Sequence, residues 1–488
     1  MNKSTSPGQQ FRNIETPKAM IEAPTESILP SFNSGILARR ILTTTSLVSM
    51  SFFFICGGPF GSEQIISSGG PMIGLIGLFV TPLVMSLPTG LMTAELSTAF
   101  PTSGGFVVWV LHAFGPFWAS LVGYLSWVSG VIDNAIYPSL ALATFTDVYG
   151  GLENKVAVYA VRSAIALVLS VPNFIGLKLV GNVTAVGFVL IMVPFVVLVI
   201  WAFAIADDWS ALGELRRSES VIDAHGDVIG MTGNVDIEWS LLLQTLFWNY
   251  SGTIAISVFC GEVKNPNHSY PRALLYSTVL IILTYTFPLL ASSAFNRPHW
   301  STWDEGDFAS IAKFVGGVPL ATCILIATFM SNAGMFITEM CGDSYQLAAM
   351  GEIGLVPTCF ATRNNRFDTP HWSICASIGF ILIITTFNFD EILTMTNALT
   401  AIRQICSYAS FIKLRYSHAE TIRPFKVPGS IPVLVAMLVI PVAFLLFITQ
   451  DVFHSLFPSL LVISVLIIGI AYAKWKKPTH EQLSRLQL

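Results

Sequence analysis

Long apolar runs separated by short polar links fill this chain from about residue 42 to residue 474. Twelve runs are distinguishable: about 42–68, 72–98, 117–146, 156–175, 178–205, 239–262, 273–295, 318–342, 372–388, 391–414, 431–450 and 455–474. Most are about 20 residues or longer, the length an α-helix needs to cross a hydrocarbon core. The pattern predicts an all-α polytopic membrane protein with 12 transmembrane helices.

Two of the runs break the pattern. The first contains FICGGPFGSEQ (54–64), which places Gly57, Gly58, Pro59 and Gly61 together and Glu63 just beyond them. The sixth contains WNYSG (248–252) at its centre. Gly and Pro weaken a helix, and a carboxylate at membrane depth costs several kcal/mol. Interrupted helices at corresponding positions, five spans apart, point to an inverted-repeat transporter with its ligand site at the interruptions. The repeats would be about 42–205 and 239–414, with two extra helices at 431–474. Together they make a transmembrane domain of residues 41–475. A polar, Ser/Thr/Pro-rich segment, 1–40, reads as a disordered cytoplasmic N-terminus, and 476–488 as a cytoplasmic tail.

Composition agrees with the membrane reading. Of 488 residues, 53% are hydrophobic and 11% charged, with mean hydropathy +0.67; a soluble chain carries about 25% charge. The net charge of −4 suits no nucleic-acid partner. With twelve spans, eighteen Lys and Arg fall on the side of the termini and five on the other. That asymmetry predicts both termini cytoplasmic, in a multi-pass protein expected in the plasma membrane. The long opposite loop, about 207–238, is acidic and reads as solvated. All seven cysteines lie in spans or cytoplasmic loops, so no disulfide framework is implied. No nucleotide loop, metal cluster or nucleophile–base pair appears at meaningful spacing, so neither an enzyme nor a cofactor is expected.

Candidate binding residues cluster around the interruptions. Unwound backbone at Gly57, Gly58 and Gly61 leaves groups free to meet a ligand. Glu63 and, in span 3, Asp133 supply two carboxylates. Tyr137, Trp248 and Tyr250 supply aromatic faces that attract cations. Asn249 and Gly252 complete the second interruption. Each has a plainer account: Glu63 as a helix cap, Asp133 as a partner of a neighbouring helix, the aromatics as packing. Arg162 and Arg403 read as paired with acids or carbonyls. Glu95, Glu262, Glu339 and Asp343 read as gate or scaffold residues outside the substrate pocket.

GGFVVWVLHAFGPFW (104–118), WVSGVIDNAIYP (127–138), FCGEVKNP (259–266), EMCGDSYQLAAMGEIGLVP (339–357) and FIKLRYSHAETIRPFKVP (411–428) carry a resemblance. Over about 45–475 the chain resembles the plant polyamine uptake transporters, a branch of the amino acid–polyamine–organocation superfamily. The resemblance implies a secondary transporter of the leucine-transporter fold that imports putrescine- or spermidine-like polyamines, driven by protons or by the membrane potential. It also implies a substrate site at the first hinge and span 6, with Glu63 and Asp133 meeting amines. An amino-acid permease is the alternative, and a substrate-sensing receptor on the same scaffold comes third. Three departures bear on this. Ile254 stands where plant members carry an acid, Ser407 where they tend to carry a glutamate, and mid span 5 lacks the lysine of many proton-coupled relatives. The loop DVYGGLENK has no cysteine, so no disulfide-linked heavy chain is expected. The expected partners are the amine or amino-acid substrate, protons and the lipid bilayer.

Overall fold

The computed structural model describes residues 40–149, 154–385 and 389–476. The segment expected to be disordered (1–40, save its last residue) and nearly all of the tail (476–488) lie outside the described residues.

The chain opens with α1 (Thr44–Ile55) and α2 (Glu63–Gly69), separated by seven non-helical residues. Next, α3 (Pro71–Thr81) runs through one π-helical turn, Pro82–Ser86, into α4 (Leu87–Ala99). A short α5 (Phe106–Phe114) precedes α6 (Pro116–Asn134), α7 (Ile136–Tyr149), α8 (Lys155–Ile175) and α9 (Leu177–Ile205). A hairpin of β1 (Arg217–Ile222) and β2 (Val228–Val235) leads to α10 (Trp239–Tyr250). After α10 the chain unwinds and re-coils as a 3-10 helix, Ala255–Glu262. The remaining helices are α11 (Pro266–Phe295), α12 (Phe308–Ile353), α13 (His371–Ile384), α14 (Phe389–Ser417), α15 (Ile431–Asp451) and α16 (Leu456–Trp475). A kink with non-helical backbone at Gly316 and Gly317 divides α12.

Among the described residues, seven helical stretches are long and apolar enough to cross a membrane. They are Pro71–Ala99, Lys155–Ile175, Leu177–Ile205, Pro266–Phe295, Phe308–Ile353, Ile431–His454 and Leu456–Trp475. Five of the twelve expected spans fall outside this set: about 117–146, 372–388 and 391–414, and the two whose helices are broken, α1/α2 and α10 with its 3-10 extension. The hairpin corrects the all-α expectation. Val221, Ile222, Val228 and Ile229 favour extended backbone, and Ile222 pairs with Val228 across the turn. Asp223 Oδ1 closes that turn by accepting from the N–H groups of His225 (2.8 Å) and Asp227 (2.9 Å).

Polarity is inverted relative to a soluble protein. The outward surfaces of α8, α9 and α16 carry Val168 (69% exposed), Ile200 (66%) and Ile467 (62%), with many similar neighbours. Apolar surface that continuous needs lipid around it. Polar groups are turned inward and bond across helices. Ser129 meets Thr400 at 2.9 Å, and Asn397 Nδ2 donates to Gln244 Oε1 at 2.7 Å.

On the face that carries α5, two buried ion-pair networks tie segment ends together. Glu95, at the end of α4, accepts from Arg415 Nε and Nη2 at 2.6 Å each and from the Val427 N–H at 2.8 Å, and pairs with Arg423 at 3.1 Å. Glu262 pairs with Arg363 at 2.7 Å, and the Arg363 guanidinium also stands over the Tyr345 ring. Buried charges of this kind persist only when several partners satisfy them. The segment just before α1 is fastened here too: Leu42 N–H donates to the Glu262 carbonyl, and Lys264 N–H to that of Leu42.

The two interruptions touch each other. Gly252 has φ +94°, and a Cβ there would drive into the carbonyl oxygen of Phe54, at the end of α1. Left-handed backbone costs an L-residue about 1–2 kcal/mol, and the overlap adds to it. Gly252→Ala is therefore expected to destabilise the protein by about 2 kcal/mol or more. Gly230→Ala is the control, because a Cβ there meets open space in the hairpin. Thermal unfolding in detergent reads the difference: a lower midpoint for Gly252→Ala alone is expected, and equal midpoints would contradict the contact.

Candidate functional site

Unwinding a helix leaves carbonyls without their i+4 donors, and in a membrane each must find another. Here the side chains of three neighbouring segments provide them. Ser331 of α12 donates to the Gly57 carbonyl at 2.8 Å. Asn249 Nδ2 donates to the Gly61 carbonyl at 3.3 Å. Ser86, in the π turn, donates to the Tyr250 carbonyl at 3.3 Å, and Ser251 Oγ to that of Trp248 at 3.0 Å. Gly57, Gly58 and Gly61 all have positive φ. Gly61 also gives room to Trp248, since a Cβ there would stand 2.7 Å from Trp248 Cζ3.

Trp248 connects this region to α6, where its indole lies beside the Asp133 carboxylate. Glu339 of α12 lies beside the same carboxylate. One helical turn on, Asp343 lies against Gly130, with its Cγ 2.6 Å from where a Cβ would sit. Asn134 Nδ2 donates to Asp343 Oδ2 at 3.0 Å, and Tyr137 Oη to Glu339 Oε1 at 2.6 Å. Among the described residues, Arg403 of α14 is the positive charge within electrostatic range of all three acids, Asp343 foremost. It donates to Ser126 at 3.1 Å and stands over the Phe106 ring. Three carboxylates therefore lie within electrostatic range of one guanidinium.

Glu63 lies elsewhere. At the start of α2 it is fully buried, and its Oε1 accepts from the Gly306 N–H at 3.2 Å, in the turn that opens α12. Phe60 packs edge-on against Phe195 nearby. Two carboxylates were expected to share one cavity, Glu63 and Asp133; the group beside Asp133 is Glu339. Tyr250 turns away from the carboxylates, its hydroxyl donating to the Leu78 carbonyl at 2.8 Å and its ring edge-on to Tyr285. Tyr137 meets the cluster through Glu339. Arg162 bonds the Thr385 carbonyl at 3.3 Å, and Arg403 faces acids. Ile254 is buried at the start of the 3-10 helix, and Ser407 donates to the Arg403 carbonyl at 3.0 Å.

Glu339 and Asp343 read from sequence as lying near the end of their span, away from the pocket. The available signal was their i, i+4 spacing, which puts both on one helix face, together with SGVIDN on α6 as a polar face needing partners. Among the described residues, four buried acceptors in this region have no donor: Glu63 Oε2, Asp133 Oδ1, Asn134 Oδ1 and Asn249 Oδ1.

Residues 46–471 match the amino acid permease family. Polyamine transporter PUT1 of Oryza sativa subsp. japonica is 36% identical over 411 residues, covering 83% of this chain and 73% of that protein. Polyamine transporter RMV1 of Arabidopsis thaliana is 34% identical over 429 residues, covering 88% and 84%. The family and these relatives are membrane transporters, not enzymes. With its apolar outward surface, its broken helices and this similarity across most of its length, the chain belongs to the amino acid permease family.

Proposed function

We propose that the protein is a secondary transporter that imports polyamines of the putrescine and spermidine class as organic cations. In this reading twelve spans form two inverted five-helix repeats, 42–205 and 239–414, followed by two further helices. Both termini are cytoplasmic and the membrane is the plasma membrane. The observation that carries the proposal is the grouping of Asp133, Glu339 and Asp343 within electrostatic range of Arg403 beside the two interruptions. With one guanidinium against three carboxylates, the site is short of positive charge, which an ammonium-rich solute supplies. The polyamine names of the relatives agree with that chemistry.

The substrate lies along the hinge at Gly57, Gly58 and Gly61, against Trp248, Asn249 and Gly252, with an ammonium at Asp133. Glu63 stands at the outer end of the path, where its bond to Gly306 links α2 to the start of α12. Tyr137 positions Glu339, and Tyr250 holds the second interruption against the π turn. The hinge does not unwind at a fixed cost alone: its carbonyls are held by serine and asparagine side chains that can exchange partners as the helices move.

A second reading, an amino-acid permease, is favoured by one specific feature. Ile254 leaves span 6 without an acid, and the unwound N–H groups of the first hinge suit a carboxylate. Uptake of radiolabelled spermidine by expressing cells, with putrescine, arginine and leucine as competitors, separates the two. Displacement by putrescine is expected; displacement by leucine but not putrescine would favour the permease.

Asp133→Asn tests the site. Removing one member of a buried charge pair costs 2–5 kcal/mol, about 30-fold or more in affinity. Apparent spermidine affinity is expected to fall by at least that factor with surface expression unchanged. An unaltered affinity would return Asp133 to a purely structural role.

A further inference from the structure

The face that carries α5 holds a cavity of about 390 Å³, a size that takes small ligands. Ile41, before α1, and Asn182, on α9, line it beside Glu262, Tyr345, Arg363 and Asp368. Lys178, also in its wall, is exposed. The rings of Phe54, at the end of α1, Phe259 and Tyr345 lead to it from the first hinge, with successive centroids 6.1 and 5.6 Å apart. Arg363 enters the wall from a loop, and its side chain is only 3% exposed. Its Nη2 pairs with Glu262 Oε1 at 2.7 Å. Its Nη1 pairs with Asp368 Oδ2 at 3.3 Å and donates to the Asp368 carbonyl at 3.3 Å. The guanidinium carbon lies 5.3 Å from the centre of the Tyr345 ring. Two carboxylates, a carbonyl and an aromatic face hold an alkylammonium by the same forces that hold this guanidinium. The loop is shaped to present them. Asn364 N–H donates to the Thr369 carbonyl at 2.9 Å, and Asn364 Oδ1 accepts from the N–H groups of Arg366 and Phe367. Asp368 has φ +56°, a left-handed backbone that aspartate adopts more readily than most residues.

We infer that Glu262, Tyr345 and Asp368 form a second ammonium site, between the first hinge and the face that carries α5, and that Arg363 occupies it as a tethered stand-in for the substrate. The inference rests on the polyamine reading above, in which this face is cytoplasmic. An ammonium group leaving the hinge takes over the partners of Arg363 as the guanidinium swings out with its loop. The return of Arg363 then expels that ammonium into the cavity and the cytoplasm. Exchanging one cation for another keeps the buried carboxylates compensated throughout, and a bare buried charge is what such a step must avoid. A tethered competitor also acts at high effective concentration, so polyamine already in the cytoplasm is kept from refilling the site. In the substrate-free protein the same pairing fastens the segment ends of this face.

Titration calorimetry of the full-length protein in detergent, with spermidine as the probe, counts the sites. The native protein is expected to bind one spermidine, Arg363→Gln two, and Arg363→Gln/Glu262→Gln one. An equal number in the native protein and in Arg363→Gln, whether one or none, would overturn the inference. So would two sites retained in the double variant. One site in Arg363→Gln and none in the native protein would support the second ammonium site and overturn the central one. Arg363→Lys keeps the test decisive where Arg363→Gln does not fold, because it puts an alkylammonium on the tether itself. A native thermal midpoint and a single spermidine site are expected for it. A pair that needs the planar fork of arginine does not accept lysine, so a loss of stability as large as that of Arg363→Gln would overturn the inference.

Discussion

Backbone carbonyls and N–H groups cannot be left unpaired inside a membrane, and this protein breaks helical pairing twice at the same place. The breaks stand because other segments supply what the helices give up. Ser331, Asn249, Ser86 and Ser251 donate to carbonyls of Gly57, Gly61, Tyr250 and Trp248. The missing side chain of Gly252 lets the second interruption rest on the Phe54 carbonyl of the first. A rigid helix would place no backbone within reach of a ligand, whereas a pair of mutually supported breaks does so without exposing backbone to lipid. These hydroxyl and amide donors are also replaceable ones, as a moving hinge requires.

Electrostatics builds on that arrangement. Trp248 spans from Gly61 to Asp133, so the hinge and the carboxylate cluster form one region. On the face carrying α5, buried acids are balanced by arginines: Glu95 by Arg415 and Arg423, Glu262 by Arg363. The central cluster differs in ratio, with Asp133, Glu339 and Asp343 opposite Arg403. A buried charge left without compensation is strongly destabilising. The balanced networks fit scaffold roles, and the unbalanced one fits binding of something positive.

Much of this was legible in the sequence for a physical reason. Gly57, Gly58, Gly61 and Gly252 sit inside apolar runs as helix breakers, and all four have positive φ. Asp133 and Arg403 were legible as charges too costly for lipid. Glu339 was not, because position along a span says how deep a residue lies but not which neighbour its face meets. The kink at Gly316 and Gly317 compounds this: α12 begins outside the apolar run, and its lower half packs along α6 and α7. The hairpin was hidden by its acidic residues, although its β-branched positions were visible. Tyr250 was legible as an aromatic beside the second interruption, but that its hydroxyl donates to the Leu78 carbonyl was not.

The central claim is that a negatively charged interior site carries organic cations down an electrical gradient. Each positive charge moved inward gains about 2.3 kcal/mol per 100 mV, so under the proposed function polyamine import requires no sodium gradient. The most direct measurement is radiolabelled spermidine uptake into proteoliposomes under separately imposed potassium-diffusion potential, pH gradient and sodium gradient. Uptake that rises with a negative interior and with mildly acidic outside pH, and is indifferent to sodium, is the result expected. Uptake that responds only to sodium would contradict the account.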